Sequence, residues 1–290
     1  MLDTRLKYSG SEAYKIPETF KCDGRLYEIG EFINSGGNAV VHKCNDVTTG
    51  DEIAIKIQLK TNYVRLKRFE REKKISSSCT HDHLIKYIGE GEFESEVKRR
   101  GKAKKINLPY ILMELGDKNL SQYLKELYDK SVSVKPENYI AQFRGLANAL
   151  SELHKIALHR DIKPTNILIT GDKWQLSDYG LSVLHNASDG DDLTRIGEVI
   201  GPQNWMSPEA NTLFCGINED ITTASDVYQL AAVFWLVVNN RHPTGIVTKD
   251  DWSGPENLFS ILMDALQHDP GRRPQNGNDF AAAISASILS

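Results

Sequence analysis

Two short strings in the second half of the chain carry side chains whose types and spacing suit phosphoryl transfer. The first is His159-Arg160-Asp161-Ile162-Lys163-Pro164-Thr165-Asn166, followed by the apolar run Ile167-Leu168-Ile169. Moving a phosphoryl group needs little covalent help from protein. It needs an aligned acceptor hydroxyl and cations that absorb the charge of the group in transit. An Asp with an Asn five residues later on one rigid loop can set a base beside that hydroxyl and an oxygen ligand on a metal, with Lys163 between them in reach of phosphate. The second string is Ser177-Asp178-Tyr179-Gly180, whose Asp178 lies twelve residues after Asn166. A short strand pair fits that gap and returns Asp178 to the same place, giving the carboxylate that a Mg²⁺ bridging two phosphates requires. Earlier, Ile53-Ala54-Ile55-Lys56 puts one ammonium on a strand, and Glu72, in Arg71-Glu72-Lys73 on the following helix, is its expected ion-pair partner. Taken singly, each feature has a plain structural reading: a strand Lys at a solvated edge, an Asp-Tyr-Gly turn, an Arg-Pro helix stop.

The elements that must hold these residues change character along the chain. Residues 1 to about 20 are polar and mixed, and are expected to form an extension that lies on the surface or is partly disordered. From Leu26 to about Met113 the sequence reads as short β runs at Val40-Val41, Ile53 to Ile57, Leu84 to Ile88 and Tyr110 to Met113. One helix interrupts them from Asn62 to about Ser77, with Val64, Phe69 and Ile75 as sparse apolar anchors. After Gly116, Leu120-Tyr123-Leu124-Leu127-Tyr128 and Ile140-Phe143-Leu146-Ala147-Leu150-Leu153 repeat at helical spacing. Strands return at Ile167 to Ile169 and Trp174 to Leu176, and the chain is largely helical from Ser225 on. A β-rich first third joined to a helical remainder predicts an α+β fold with two lobes. The basic stretch from Val97 to Lys105 reads as a solvated hairpin loop, and His81-Asp82-His83 as a turn rather than a metal site.

Composition narrows the function classes. Hydrophobic residues at 40% and charged residues at 26% of 290 are ordinary globular values, and a net charge of −4 argues against a nucleic-acid module. Cys22, Cys44, Cys79 and Cys215 form no CxxC pair, which reads as reduced thiols in a cytoplasmic protein. The N-terminus lacks the apolar core of a signal peptide, and the longest apolar run, Leu230 to Val238, is too short to cross a bilayer, so neither membrane nor nucleic acid is an expected partner.

In this order, the strings resemble the eukaryotic-like Ser/Thr protein kinase family from about Leu26 to about Pro274. The resemblance implies an α+β bilobal protein kinase fold: a small β-sheet N-lobe with one helix, residues 26–113, a hinge at 114–116, and a mainly helical C-lobe, 117–274. Residues 1–25 would be an N-terminal extension and 275–290 a C-terminal helix of the second lobe. It implies an ATP- and Mg²⁺-dependent enzyme, Mn²⁺ being an alternative metal, that phosphorylates serine or threonine of protein substrates. Carried over by motif, Asp161 is the base, with Lys163, Lys56 and Glu72 as further catalytic residues, and Asn166 and Asp178 bind metal. ATP would lie between the lobes against Ile33, Gly36, Val41, Ala54, Lys56, Met113, Glu114, Leu115 and Leu168. Ser207-Pro208-Glu209 resembles the end of an activation segment, with Glu209 paired to a buried Arg273, and Asp226 resembles the acid that anchors the catalytic loop. Thr194, Ser188 and Ser182 are candidate autophosphorylation sites, for which a dimer would serve, and Glu198 stands where many relatives carry a phosphothreonine.

The chain also departs from the family pattern. Its phosphate loop, Asn34-Ser35-Gly36-Gly37-Asn38-Ala39, keeps only the middle glycine of the three, although Asn tolerates positive φ and Ala adds only a methyl. Pro202 replaces the usual Thr of the substrate-facing loop, which leaves dual specificity open, and the stretch from Pro243 to Pro255 is short where a substrate-docking helix is expected. The alternative reading is an ATP-binding pseudokinase acting as a scaffold; against it, Lys56, Asp161, Asn166 and Asp178 are all present.

Overall fold

The structure, a computed structural model, describes residues 3–7, 13–36, 38–59, 61–99, 102–185, 203–212, 216 and 219–289. It falls into two units, one made of Met1–Ser77 with Lys86–Leu115 and the other of Ser78–Ile85 with Gly116–Ser290.

Period-two alternation builds the first unit. Its elements are β1 (Asp3–Lys7), β2 (Ala13–Pro17), β3 (Thr19–Cys22), β4 (Arg25–Ser35), β5 (Ala39–Asp46), β6 (Glu52–Gln58), the helix α1 (Tyr63–Ser78), β7 (Tyr87–Arg99) and β8 (Lys102–Glu114). β1 pairs with β2, and the other six strands form one antiparallel sheet in the order β3-β4-β5-β6-β8-β7. Along β6, Ile53, Ile55 and Ile57 point to one face while Ala54 and Lys56 point to the other. Directly paired residues share a face, so Leu112 and Tyr110, opposite Ile55 and Ile57, join the isoleucine side. There they meet Phe20, Tyr27 and Phe93, with Phe93 stacked on Tyr110 at 4.5 Å and Phe20 edge-on to both at 5.1 Å. Gly91 on β7 makes room for this cluster, since a Cβ there would lie 2.4 Å from the Tyr110 hydroxyl. Burial pushes the Cys44 thiol in the same core up to about 12, which makes it an inert apolar filler.

Three expectations for this region are corrected. From Tyr14 on the N-terminal segment is no surface extension: Tyr14 and Ile16 are 3% and 1% exposed, and β2 and β3 complete the core on the isoleucine face. The strand expected over Leu84 to Ile88 begins only at Tyr87, and Leu84 instead makes a single parallel bridge to Leu176 in the second unit's own framework. The basic stretch is a hairpin, as expected, but mostly paired strand and not loop, because β7 and β8 run on in register as far as Arg99 opposite Lys102.

The second unit is mainly helical. It contains β9 (Lys118–Asn119), α2 (Leu120–Asp129), α3 (Pro136–Leu153), β10 (Ala157–Leu158), β11 (Ile167–Thr170), β12 (Lys173–Leu176), β13 (Val183–Leu184), α4 (Pro208–Thr212), α5 (Thr223–Asn239), α6 (Glu256–Ala265) and α7 (Gly277–Leu289). Asn119 caps α2 in a reciprocal box with Gln122. The helical periodicity of α3 is realised in a stack on α5, in which Phe143 lies 3.8 Å from Phe234, itself 5.7 Å from Phe280 of α7. Gly277, the first residue of α7, lets that helix approach α3, since a Cβ there would stand 2.3 Å from the Ser151 backbone. The apolar run Leu230 to Val238 lies inside α5 within this core, and no described helix is long and apolar enough to cross a membrane. Between Pro243 and Pro255 the only regular structure is a 3₁₀ turn, Lys249–Asp251.

Candidate active site

In the first unit, strand pairing fixes which predicted residues share a face. Val41 is opposite Lys56, Lys56 is opposite Ile111, and Ala54 is opposite Met113, so Val41, Ala54, Lys56 and Met113 lie together on the face away from the aromatic core. Lys56 Nζ donates to Glu72 Oε1 of α1 at 2.5 Å, with both side chains largely buried. This is the ion pair expected from sequence. Ile33 is exposed on β4, and Gly36 closes the β4–β5 hairpin with its N–H on the Ala39 carbonyl at 2.9 Å. At the end of β8 the Glu114 N–H is bonded to the Lys86 carbonyl at 2.9 Å, and Leu115 follows directly.

In the second unit, the segment from His159 to Asn166 has little regular structure of its own, so its backbone groups need partners from elsewhere. α5 supplies them. Asp226 accepts from the N–H groups of His159 at 2.7 Å and Arg160 at 2.8 Å, and lies 3.2 Å from His154 Nε2. One turn further on, Gln229 Oε1 accepts from the Ile162 N–H at 3.0 Å. Burial pushes the Asp226 carboxyl up, but the His154 hydrogen bond and the nearby charges outweigh it and hold the group below its usual range. These bonds hold Arg160 at φ +66°, a left-handed conformation that an ordinary residue keeps only when its surroundings dictate it.

Asp161 follows on that pinned backbone. Lys163 Nζ lies 2.8 Å from both of its carboxylate oxygens, and Asn166 Nδ2 donates to Oδ2 at 2.8 Å and to the Asp161 carbonyl at 2.9 Å. Burial raises the Asp161 pKa, Lys163 pulls it partly back, and the charge of Asp178 adds to the rise. Asn166 is tied to the Asp178 region through Ser177, whose N–H and hydroxyl both donate to the Asn166 carbonyl at 2.9 Å. The β11–β12 hairpin thus returns Asp178 to the neighbourhood of Asn166, as the twelve-residue gap predicts. Asp178 is exposed, at φ +63°, and accepts from the Gly180 N–H at 3.3 Å. Asn166 directs its amide N–H groups at Asp161, which leaves its amide oxygen open. That oxygen and the Asp178 carboxylate are hard donors of the kind a Mg²⁺ takes while keeping most of its water and phosphate ligands. Leu168 sits half-buried on β11.

Below this loop Glu209 and Arg273 form a fully buried, two-pronged pair, with both N–H···O distances at 2.8 Å. Ser225 adds a hydrogen bond to Glu209 at 2.6 Å, and Arg273 also donates to the carbonyls of Gln267, His268 and Ala224. Burial pushes Glu209 up, but Arg273 and Ser225 outweigh it and hold its carboxyl below the usual range. Ser182 is not an accessible modification site: it is 1% exposed and its hydroxyl donates to the His159 carbonyl at 3.2 Å. Thr194, Ser188, Glu198 and Pro202 lie outside the described residues. Among the described residues no cluster of three or more His, Cys, Asp or Glu could hold a metal, and His81 to His83 form the expected turn. Sequence reasoning missed Gln229, whose only sequence signal is a polar residue interrupting the apolar run of α5, and His154, the cap residue that ends α3 with its side chain buried.

The family model described as protein kinase domain matches residues 27–283. The chain is similar to serine/threonine-protein kinase PknA of Corynebacterium glutamicum, at 28% identity over 95% of this chain and 58% of that protein. It is similar to PknB of Mycobacterium tuberculosis, named a serine/threonine-protein kinase, at 27% over 91% of this chain and 39% of that protein. A third relative, the serine/threonine-protein kinase pkn2 of Myxococcus xanthus, is 24% identical over 93% of this chain and 33% of its own length. The chain therefore spans between about a third and three-fifths of the curated relatives it matches.

Proposed function

The chain belongs to the protein kinase domain family, and from that premise we propose that it is an ATP- and Mg²⁺-dependent kinase that phosphorylates serine or threonine hydroxyls of proteins. In this reading Lys56, oriented by Glu72, takes the α- and β-phosphates of ATP. Val41, Ala54, Met113 and Leu168 offer apolar surface to adenine, the backbone of Glu114 and Leu115 its polar contacts, and Ile33 and Gly36 border the nucleotide. Asn166 and Asp178 would hold the magnesium, which when bound supplies positive charge along the phosphates; Mn²⁺ has the same ligand preference for oxygen.

Asp161 carries the proton step. The acceptor hydroxyl gives its proton to an Asp161 carboxylate oxygen as the oxygen attacks the γ-phosphorus in line, and ADP leaves. A pKa raised by burial makes this carboxylate a better base. Lys163, in contact with both carboxylate oxygens, holds it in place and is positioned to meet the transferred group. The carrying observation is this arrangement: a carboxylate gripped by Lys163 and Asn166 on a backbone pinned by Asp226. The same proposal takes residues 26–274 as the kinase domain, with 275–290 as a terminal helix, acting in the cytoplasm on protein substrates and on a second copy of itself at Thr194.

Incubation with γ-labelled ATP, Mg²⁺ and a general protein acceptor tests the proposal. Label is expected on phosphoserine and phosphothreonine after acid hydrolysis, and is lost when a chelator removes the metal. Label on phosphotyrosine alone would overturn the Ser/Thr assignment. An inert protein that still binds ATP would favour the pseudokinase reading.

A further inference from the structure

The helix α1 is poorly equipped to find its place by hydrophobic contact. Of its residues only Phe69, Ile75 and the charged Glu72 are buried, and it carries six basic side chains against two acidic ones. Its rotation about its own axis must nevertheless be set closely, because Glu72 meets Lys56 at 2.5 Å. The next residue, Lys73, is the opposite charge and points about 100° further round the helix. It is not a solvated lysine: its side chain is 12% exposed, and Nζ lies 3.0 Å from Glu90 Oε1 on β7 and 3.2 Å from Glu70 one turn back.

The sheet register explains why the two adjacent residues find opposite charges. Ile111 of β8 pairs with Lys56 of β6 on one side and with Glu90 of β7 on the other. Lys56, Ile111 and Glu90 therefore form one row across three strands, on one face, with the outer two backbones about 10 Å apart, two interstrand spacings. The sheet presents plus, apolar, minus, and the helix lays minus, plus across it. Turning the helix so that Lys73 approached Lys56 would take Glu72 off the row and oppose two like charges at the Lys56 end.

We infer that the Lys73–Glu90 ion pair is a positioning pair that fixes the roll of α1 and so presents Glu72 to Lys56. Glu90 is 39% exposed, which keeps the pair modest in strength, and its effect is on the fraction of molecules with Glu72 in place. As far as catalysis is concerned, the inference rests on the kinase reading.

The test is a mutant cycle in the full chain. Lys73→Met and Glu90→Gln are each expected to lower kcat/KM for ATP about fivefold, and the double variant to be no worse than either. Neither change should cost more once Glu72→Gln has removed the group they act through. A merely structural role predicts losses that multiply with Glu72→Gln. Singles within twofold of wild type, or multiplying losses, would overturn the inference. Hydrogen exchange across residues 63–78 reads the same device without any activity. Protection should fall in both single variants, and unchanged protection would refute the role of the pair even if no phosphate transfer were found in the parent protein.

Discussion

Glu209 and Arg273 bring two full charges into a space that water does not reach, and every oxygen and most donors of the pair are matched. Such a pair stabilises less than its short distances suggest, because desolvation cancels much of the attraction. Breaking it is another matter, since the surviving charge is then stranded. Arg273→Met is expected to destabilise the protein by about 3–5 kcal/mol, read from denaturant unfolding. Asp161 behaves in the opposite sense. Its folded-state pKa is raised above 3.8, so its stabilising contribution is present below that value and is lost as pH rises through the folded value. Above the folded value this group is therefore a burden on the fold. Asp161→Asn should melt no lower than the parent while losing transfer, and a melting temperature several degrees lower would contradict this. Which residues form these pairs was legible in the sequence, because Asp161, Asn166, Asp178, Glu209 and Arg273 stand at informative spacings. Gln229 and Lys73 were not. A buried glutamine and a Lys–Glu contact between distant elements look like surface residues until the register is known.

At the scale of elements, the helices α2 and α3 and the strands β6, β11 and β12 follow directly from their apolar patterns, and α5 from its long apolar run. The N-terminal strands do not, and the reason is physical. Tyr14 and Ile16 alternate on one side of Pro17, and Phe20 and Cys22 on the other, so each run is too short to stand out from a polar stretch. Their partners, Phe93 and Tyr110, lie some 70 to 90 positions away in sequence. Only the folded sheet joins them. Phe20, in contact with Tyr27, Phe93 and Tyr110, is thus an integral core residue outside the stretch that the family pattern covers. Phe20→Ala is expected to cost about 3–5 kcal/mol, the usual penalty for removing a buried aromatic ring. A loss below about 1 kcal/mol would mean that these strands merely lie against the unit.

For the whole molecule, the pKa directions predict how stability responds to acid. Glu209 and Asp226 both have folded-state pKa values below their ordinary 4.5 and 3.8. As pH falls the unfolded chain takes up protons first, so stability present above about pH 4.5 is lost as pH drops through the folded values. The melting temperature should stay nearly level from pH 7 to about 5 and fall steeply below, and Arg273→Met should flatten that fall by removing the cause of the Glu209 shift. The two units each carry part of the proposed chemistry, Lys56 with Glu72 in one and Asp161, Lys163, Asn166 and Asp178 in the other. The central claim is that Asp161 acts on the acceptor hydroxyl and not merely on nucleotide binding. Calorimetric titration of MgATP into Asp161→Asn, beside single-turnover phosphate transfer, tests this most directly. Binding should stay within about threefold of the parent while transfer falls about 10²–10⁴-fold. Transfer within tenfold of the parent, or binding lost in step with transfer, would contradict it.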